Sequence, residues 1–365
     1  VEVQDGAQLS SNTLGQGNAG RINIQGAESI IFSGGNAEGL VSGAFSRIRE
    51  AGQGDAGEIN LRANQVELSN GAQLSSSTFG EGDAGNITIE ASDTARFLNG
   101  DVFSTVGATG RGDAGNIRVI GDRVELQDGS RLSSSTFGEG DAGRITVEAS
   151  DTARFVNANV FSTVEEGGYG DGGDISIFAS MLFVEDGAQL NVNTLGEGNA
   201  GTVRVEASDR VVLSGINADG SHSRVSSSVG ESGLGNAGGI SIFTNTLEVE
   251  AGAGLISSTF GQGDAGTIAV EVSDSVVLSS SFAFSTVQEN AQGNAGDISI
   301  ISNTLEMRDG SQLNSSTLGE GNAGTVRIEA RDSITFSGLS SRENPLGIFS
   351  LVEETGRGNA GGVSI

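Results

Sequence analysis

The octapeptide "GDAGNITI" at residues 82–89 joins a corner bounded by glycines to two aliphatic residues that alternate with polar ones. A period of two is typical of a β-strand with one buried face. The corner, G-[ND]-[AG]-G, occurs twelve times, and x-Φ-x-Φ, where Φ is aliphatic, follows every copy. Successive copies start 28, 30 or 37 residues apart, which indicates a repeat architecture. The first glycines are Gly17, Gly54, Gly82, Gly112, Gly140, Gly170, Gly198, Gly235, Gly263, Gly293, Gly321 and Gly358.

The repeat covers the whole unit. Residues 75–97 and 133–155 differ at only two of 23 positions. In the 28-residue units, "VELQDGSRLSSSTF" (124–137) predicts a second strand, a DG-like turn and a third strand. We expect Val124 and Leu126, with their equivalents in other units, to point inward along the second strand. In longer units the third strand is expected to be carried by its phenylalanines, which are Phe103, Phe161, Phe284 and Phe349.

One such unit cannot bury its strands alone, whereas units stacked in register can. The sequence therefore predicts an all-β protein, a parallel β-helix of about 12 coils of 28–37 residues, with three short strands per coil. We expect residues 1–365 to form one continuous solenoid, roughly 55–60 Å long at about 4.8 Å per coil. A β-propeller fits less well, because a blade needs about 40–45 residues.

The composition excludes several classes of function. The formal net charge is −28, and all 19 basic residues are arginine. Such an acidic surface argues against nucleic-acid binding and against anionic membrane surfaces. The sequence contains no stretch of about 18 apolar residues, so membrane insertion is not predicted. The absence of cysteine is compatible with export and with a cytosolic chain.

The second position of the corner is Asp or Asn in all twelve copies. Two interpretations stay open. The favoured one is turn chemistry, in which the side chain accepts hydrogen bonds from N–H groups of its own turn. The other is calcium, for which the consecutive Asp55, Asp83, Asp113, Asp141 and Asp171 are the candidates. The full row is Asn18, Asp55, Asp83, Asp113, Asp141, Asp171, Asn199, Asn236, Asp264, Asn294, Asn322 and Asn359.

The residues do not favour catalysis. His222 is the single histidine, and no cysteine is present to act as a nucleophile. Carboxylate pairs such as Glu90/Asp93 are candidates for a polysaccharide-acting β-helix enzyme. They recur as Glu148/Asp151, Glu206/Asp209 and Glu271/Asp274, whereas a catalytic site is normally unique along a repeat. The sequence therefore predicts neither an enzyme nor a cofactor. A polysaccharide-acting β-helix enzyme is kept as the alternative function.

A row of threonines near the third strand raises a further alternative, an ice-binding face. The pattern lacks paired threonines, so stacked hydroxyls chosen for β-propensity are the favoured interpretation. The sequence does not settle which face the row occupies. Its members are Thr78, Thr105, Thr136, Thr163, Thr194, Thr259, Thr286 and Thr317.

The 37-residue units contain seven extra residues before the third strand. They fall at 34–45, 215–226 and 338–349, and are expected to leave the coils as loops along one corner. His222 and Pro345 lie in these segments. Neutral insertion is the favoured interpretation, and recognition is the alternative.

The segments "GNAGDISIISNTLEMRDGSQLNSSTLGEGNAG" (293–324) and "GDAGNITIEASDTARF" (82–97) resemble the repeat region of filamentous-haemagglutinin-like exoproteins of two-partner secretion systems, in the style of cyanobacterial members. The resemblance covers essentially the whole chain. It implies a right-handed β-helical rod that is secreted to the cell surface and serves adhesion or a surface fibre. It brings no catalytic residues, and the family's amino-terminal secretion domain is not recognisable here.

The two ends of the repeat suggest how copies continue. Val1 begins at a second strand and Ile365 follows a first strand, so we expect a segment of a longer array or stacking of copies end to end. The expected partners are other copies or continuing repeats, together with a cell-surface glycan or protein receptor. The sequence thus predicts a non-catalytic, extracellular structural or adhesive rod.

Overall fold

The computed structural model describes residues 1–341 and 345–365. The chain divides into two compact units, Val1–Ala179 and Ser180–Ile365. In both, parallel strands stack in successive turns, about 12 in all, to form a β-solenoid. The predicted all-β parallel β-helix is confirmed, while one continuous solenoid over residues 1–365 stays a prediction.

Within the described residues all regular structure is β, and no helix is long and apolar enough to cross a membrane.

Unit 1 begins with four strands of five residues or fewer and then alternates three-residue strands with long ones. Its strands are β1 (Glu2–Gln4), β2 (Gln8–Ser10), β3 (Ile22–Gln25), β4 (Ser29–Ser33), β5 (Gly43–Phe45), β6 (Ile59–Ser69), β7 (Gln73–Ser75), β8 (Ile87–Leu98), β9 (Asp101–Phe103), β10 (Ile117–Gln127), β11 (Arg131–Ser133), β12 (Ile145–Val156) and β13 (Asn159–Phe161). Strand β14 (Ile175–Glu185) begins in unit 1 and ends in unit 2.

Unit 2 repeats this alternation. Its strands are β15 (Gln189–Asn191), β16 (Thr202–Ser214), β17 (Arg224–Ser226), β18 (Gly239–Glu250), β19 (Gly254–Ile256), β20 (Thr267–Ser279), β21 (Phe282–Phe284), β22 (Ile298–Arg308), β23 (Gln312–Asn314), β24 (Val326–Ser337), β25 (Gly347–Phe349) and β26 (Val363–Ser364). Long strands pair with long strands and three-residue strands with each other, in parallel, and the two-residue β26 pairs with the long strand β24.

The expected first and second strands are continuous in most coils. In β10 and β12 they form one strand of 11 or 12 residues whose register shifts between Gly121 and Arg123. Only the first described coil keeps them apart, as β3 and β4. The three strands predicted per coil therefore occur as two, because a bulge bends the chain without ending the pairing. Pairing offsets of 28 (Ile117 with Ile145) and 30 residues (Ile87 with Ile117) confirm one repeat per coil.

The aliphatic pairs after the corners build the core. From Ile59/Leu61 to Val326/Ile328 every pair is at most 2% exposed. The predicted second-strand pairs, such as Val124/Leu126, are equally buried. Equivalent side chains lie one above another in successive coils, so each coil removes apolar surface of its neighbours from water.

The four phenylalanines lie in the third strand as predicted, but they are not the residues that the strand buries in the core. Phe103 is half-buried on the outer face, and the preceding Val102 is fully buried. The same holds for Val160 beside Phe161 and for Ala283 beside Phe284, and Phe349 is likewise only half-buried. The turn at Asn99, whose φ is 54°, resets the alternation between the two strands, so parity does not carry over from the long strand.

The first glycine of every corner adopts a conformation that other residues rarely reach. Its φ lies between 122° and 156° in all twelve copies. At Gly140 a Cβ would collide with the carbonyl oxygen of Gly112, its equivalent one coil earlier. Glycine at this position therefore satisfies both the backbone angle and the spacing between coils.

Candidate functional site

The Asp/Asn row forms a ladder between coils. In unit 1, Oδ1 of each residue accepts a hydrogen bond from the backbone N–H of its equivalent in the next coil. The N···O distances are 2.9 Å (Asp55 to Asn18), 3.1 Å (Asp83 to Asp55), 2.8 Å (Asp113 to Asp83), 2.9 Å (Asp141 to Asp113) and 2.7 Å (Asp171 to Asp141). The predicted turn chemistry needs correction, since the partner is a residue 28 to 37 positions away and not the side chain's own turn.

Unit 2 builds the same ladder mainly from amides. The backbone N–H groups of Asn236, Asp264, Asn294, Asn322 and Asn359 donate to the side chain one coil earlier, at 2.7–3.1 Å. The amides add a second bond, because Nδ2 of Asn294, Asn322 and Asn359 donates to the preceding Oδ1 at 3.0 Å. An amide thus both accepts and donates here, and a carboxylate only accepts.

The aspartates of unit 1 are a poor fit to calcium as a closed site. Oδ1 of Asp55, Asp83, Asp113 and Asp141 already accepts a backbone N–H of the next coil, whereas calcium takes six to eight oxygen ligands. Among residues 1–341 and 345–365 no group of three or more His, Cys, Asp or Glu side chains is arranged to hold a metal ion. Any cation at this exposed row would need water for most of its ligands.

A row of buried serines fixes the cross-section of each coil. The hydroxyl of Ser104, fully buried, donates to the carbonyl of corner glycine Gly85 at 2.7 Å. Ser285 makes the same bond to Gly266 at 2.7 Å. Most other coils repeat it, as in Ser76, Ser134, Ser162, Ser227, Ser315 and Ser350. The "SSST" segments therefore contain a structural hydroxyl that spans the coil.

The threonines do not form an exposed flat face. Thr78 is fully buried and bridges to Val106 in the next coil, so threonine and valine alternate along one row. Thr105 belongs to a different row, where its Oγ1 donates to Ser77 at 3.1 Å. Thr136, Thr163, Thr194, Thr259, Thr286 and Thr317 are also buried. The threonine row that suggested an ice-binding face is therefore buried and not exposed to solvent.

Several of the recurring acids form ion pairs along the outside of the long strands. Arg118 binds Glu148 through two hydrogen bonds of 2.9 and 2.8 Å, which raises the pKa of Arg118. Arg62 lies 3.7 Å from Glu90, and Arg123 lies 3.4 Å from Asp151. Glu90, Glu148 and Asp151 thus contribute to contacts between coils, and this arrangement differs from the isolated acid pair that glycoside hydrolysis uses.

Two of the three predicted loops form the same small hairpin. Residues 34–42 lie between β4 and β5, and Gly35 bridges Val41 in antiparallel fashion. Residues 215–223 do the same before β17, with Ile216 bridging His222. Both loops therefore emerge before the third strand, as predicted. The third segment, 338–349, includes residues 342–344, which lie outside the described residues.

The hairpin of unit 2 borders a cavity of about 500 Å³ that sequence reasoning missed. His222 Nδ1 lies 2.6 Å from the carbonyl oxygen of Gly252, and its ring meets Phe282 edge-on at 6.3 Å. Phe282 and Phe284 lie 4.9 Å apart with their planes tilted by 31°. No signal in the repeat pattern could have found this site, since its residues come from four different coils.

In unit 1 an arginine covers the outer face of the short strands near the first hairpin. Arg47 lies over the ring of Phe45 at 4.3 Å and donates to Ser75 and Gln73 at 2.8 and 2.6 Å. Burial, with a contribution from Arg49, lowers the pKa of Arg47 to about 10. This contact uses the aromatic ring as packing surface.

Comparison of the chain with protein-family models, with curated proteins and with solved structures gives no match. The fold and its ladders define the class by themselves, a β-solenoid repeat protein.

Proposed function

We propose that the chain is a non-catalytic structural and adhesive rod of an extracellular surface exoprotein. The observation that carries this proposal is the use of polar side chains. The Asp/Asn ladder, the serine row and the arginine–carboxylate pairs all join one coil to the next or one side of a coil to the other. Side chains committed to such bonds provide stability along the repeat.

The ladders also support the proposed partners. Each bond joins equivalent positions, so further coils of the same kind add the same contacts. Continuing repeats or further copies stacked on the solenoid are therefore the proposed structural partners. The resemblance to filamentous-haemagglutinin-like repeats supports the surface location and the adhesive role.

Surface labelling tests the location. Antibodies raised against the purified chain are applied to intact and to lysed cells of the source organism. Labelling of intact cells is expected, and labelling of lysed cells alone would contradict the extracellular role. A reducing-end assay on a panel of polysaccharides addresses the alternative enzyme, and released ends would replace the proposal.

Electron microscopy of the native material, with and without a chelator, tests the structural role. Extended particles with a spacing of about 4.8 Å between strands are expected in both conditions. No cofactor is required by the proposal. Loss of the particles on chelation would show that calcium at the Asp55–Asp171 row is part of the structure.

A further inference from the structure

The cavity beside the hairpin of unit 2 has the dimensions of a ligand site. Its volume of about 500 Å³ falls within the range of roughly 300–1,000 Å³ that is usual for small-molecule pockets. Residues of three successive coils and the hairpin line it. They include His222, Ser281, Phe282, Phe284, Asp309 and Gln312.

The corresponding surface of unit 1 shows what would close such a cavity. Phe282 and Gln312 are paired first residues of β21 and β23, and Asp101 and Arg131 are the paired first residues of β9 and β11. Arg131 binds Asp101 through bonds of 3.2 and 2.9 Å. Its guanidinium also lies over the ring of Phe103, at 5.3 Å. In unit 1 both polar groups and the aromatic face are therefore already occupied.

In unit 2 the same positions leave their groups available. Gln312 stands in place of Arg131, and it lines the cavity. Phe282 lies over Gly254, which has no side chain to cover the ring from the preceding coil. The two phenylalanines thus form an aromatic wall with one face toward the cavity.

The polar groups of the cavity are mostly acceptors. His222 Nδ1 lies 2.6 Å from the carbonyl oxygen of Gly252 and donates to it, because a carbonyl only accepts, and this leaves Nε2 for a ligand. Oδ1 of Asp309 accepts a hydrogen bond from the backbone N–H of Leu339 at 3.1 Å, which leaves Oδ2 for a ligand. Ser281 is 4% exposed, and its hydroxyl has no partner within residues 1–341 and 345–365, whereas the equivalent Ser311 bonds to Arg308.

We propose that this cavity binds a neutral saccharide ring. The aromatic wall takes the C–H face of the sugar, and Asp309, His222 and Gln312 take its hydroxyl groups, which donate and accept. Among residues 1–341 and 345–365 no arginine lines the cavity, and Asp309 together with the net charge of −28 disfavours acidic sugars. The inference rests on the proposed adhesive function and gives it a ligand class.

The test uses the full chain and saturation-transfer difference NMR. The probes are methyl glycosides of glucose, galactose, mannose and N-acetylglucosamine, with glucuronate as the acidic probe. At least one neutral probe is expected to receive saturation through the C–H protons of one ring face. Absence of transfer to every neutral probe at about 10 mM, or stronger transfer to glucuronate, would overturn the proposal.

Variants place the binding in this cavity. The double variant Phe282→Asp with Gln312→Arg introduces the pair that unit 1 already accommodates, so it is expected to fold and to lose binding. Phe282→Ala is expected to weaken binding at least tenfold, about 1.4 kcal/mol. Phe103→Ala, in unit 1, is the matched control and should bind as the parent chain does. Unchanged binding by the double variant would overturn the assignment.

The outcomes separate this inference from the proposed function. Surface labelling without saccharide binding would leave the surface role and refute the cavity. Saccharide binding by a chain that intact cells do not expose would leave the cavity and refute the surface role.

Discussion

The Asp/Asn ladder is built from carboxylates in unit 1 and mainly from amides in unit 2. The backbone N–H of each coil is satisfied equally well in both, at 2.7–3.1 Å. The difference is that unit 1 stacks five charges of one sign, from Asp55 to Asp171, whereas unit 2 adds hydrogen bonds between asparagine side chains. The accepting oxygen is therefore what the fold requires, and the charge is an addition that the fold tolerates.

The largest effect should come from the corner glycines, which are the same in both units. Gly140→Ala and Gly321→Ala each force a Cβ onto the carbonyl of the preceding coil at positive φ. We expect a loss of more than about 3 kcal/mol in either unit. Hydrogen exchange with mass spectrometry, which reports local opening, measures the loss for each unit.

A matched control for this experiment is Gly129→Ala. Gly129 also has positive φ, 84°, but nothing lies within 4 Å of its added Cβ, so only about 1 kcal/mol is expected. Equal losses at Gly129 and Gly140 would show that spacing between coils does not select glycine.

The buried serines come second and should again affect both units alike. Ser104→Ala and Ser285→Ala each leave a buried glycine carbonyl without its hydroxyl donor. The expected loss is about 1–3 kcal/mol in each unit, read from the same exchange experiment. Exposed Ser92→Ala and Ser273→Ala are the controls and should cost under about 0.5 kcal/mol. A loss of stability confined to one unit would mean that the row of buried serines does not play the same role in the two units.

The ladder substitutions should have opposite signs in the two units. Asp113→Asn keeps the acceptor for Asp141 and removes a charge between two others, so we expect stabilisation of up to about 1 kcal/mol. Asn294→Asp loses the bond from Nδ2 to Asp264 and places two carboxylates side by side, so a loss of about 1 kcal/mol is expected. Thermal unfolding and hydrogen exchange measure both.

The same sign for both substitutions would contradict the idea that charge is what separates the two ladders.

Salt should produce the smallest difference. Raising the ionic strength from 0.1 to 1 M shortens the screening length from about 10 to about 3 Å and weakens repulsion along the Asp row. Unit 1 should gain a few tenths of a kcal/mol relative to unit 2, and less in the Asp113→Asn variant. A relative gain by unit 2 would refute repulsion as the distinguishing term.

The sequence predicted those features that depend on periodicity. The coil offsets and the buried Φ positions followed from the spacing of the corners, because equivalent residues become neighbours in a solenoid. The partner of Asp113 was missed, since turn chemistry considers only residues nearby in sequence and the acceptor serves a coil 28 residues away. The burial of Val102 in place of Phe103 was missed because a tight turn resets the alternation.

The cavity depends on individual departures from the repeat. Phe282 and His222 stand where unit 1 has residues of another kind, Asp101 and Val41, whereas Gln312 matches Gln73. Pattern analysis averages over copies and discards such departures, so only the three-dimensional placement of their side chains brings them together.

The contact of each corner glycine with its equivalent in the next coil also affects how the number of repeats changes by duplication or deletion. Because every coil presents to the next the same glycine surface that it receives, an inserted or deleted pair of coils restores all contacts at the junction. A duplication of 58 residues, or of 65 residues where the pair includes a hairpin, is therefore close to neutral for folding, whereas a length that is not a whole number of coils misplaces the corners. The near-identity of residues 75–97 and 133–155 is what recent duplication of such a pair would leave behind.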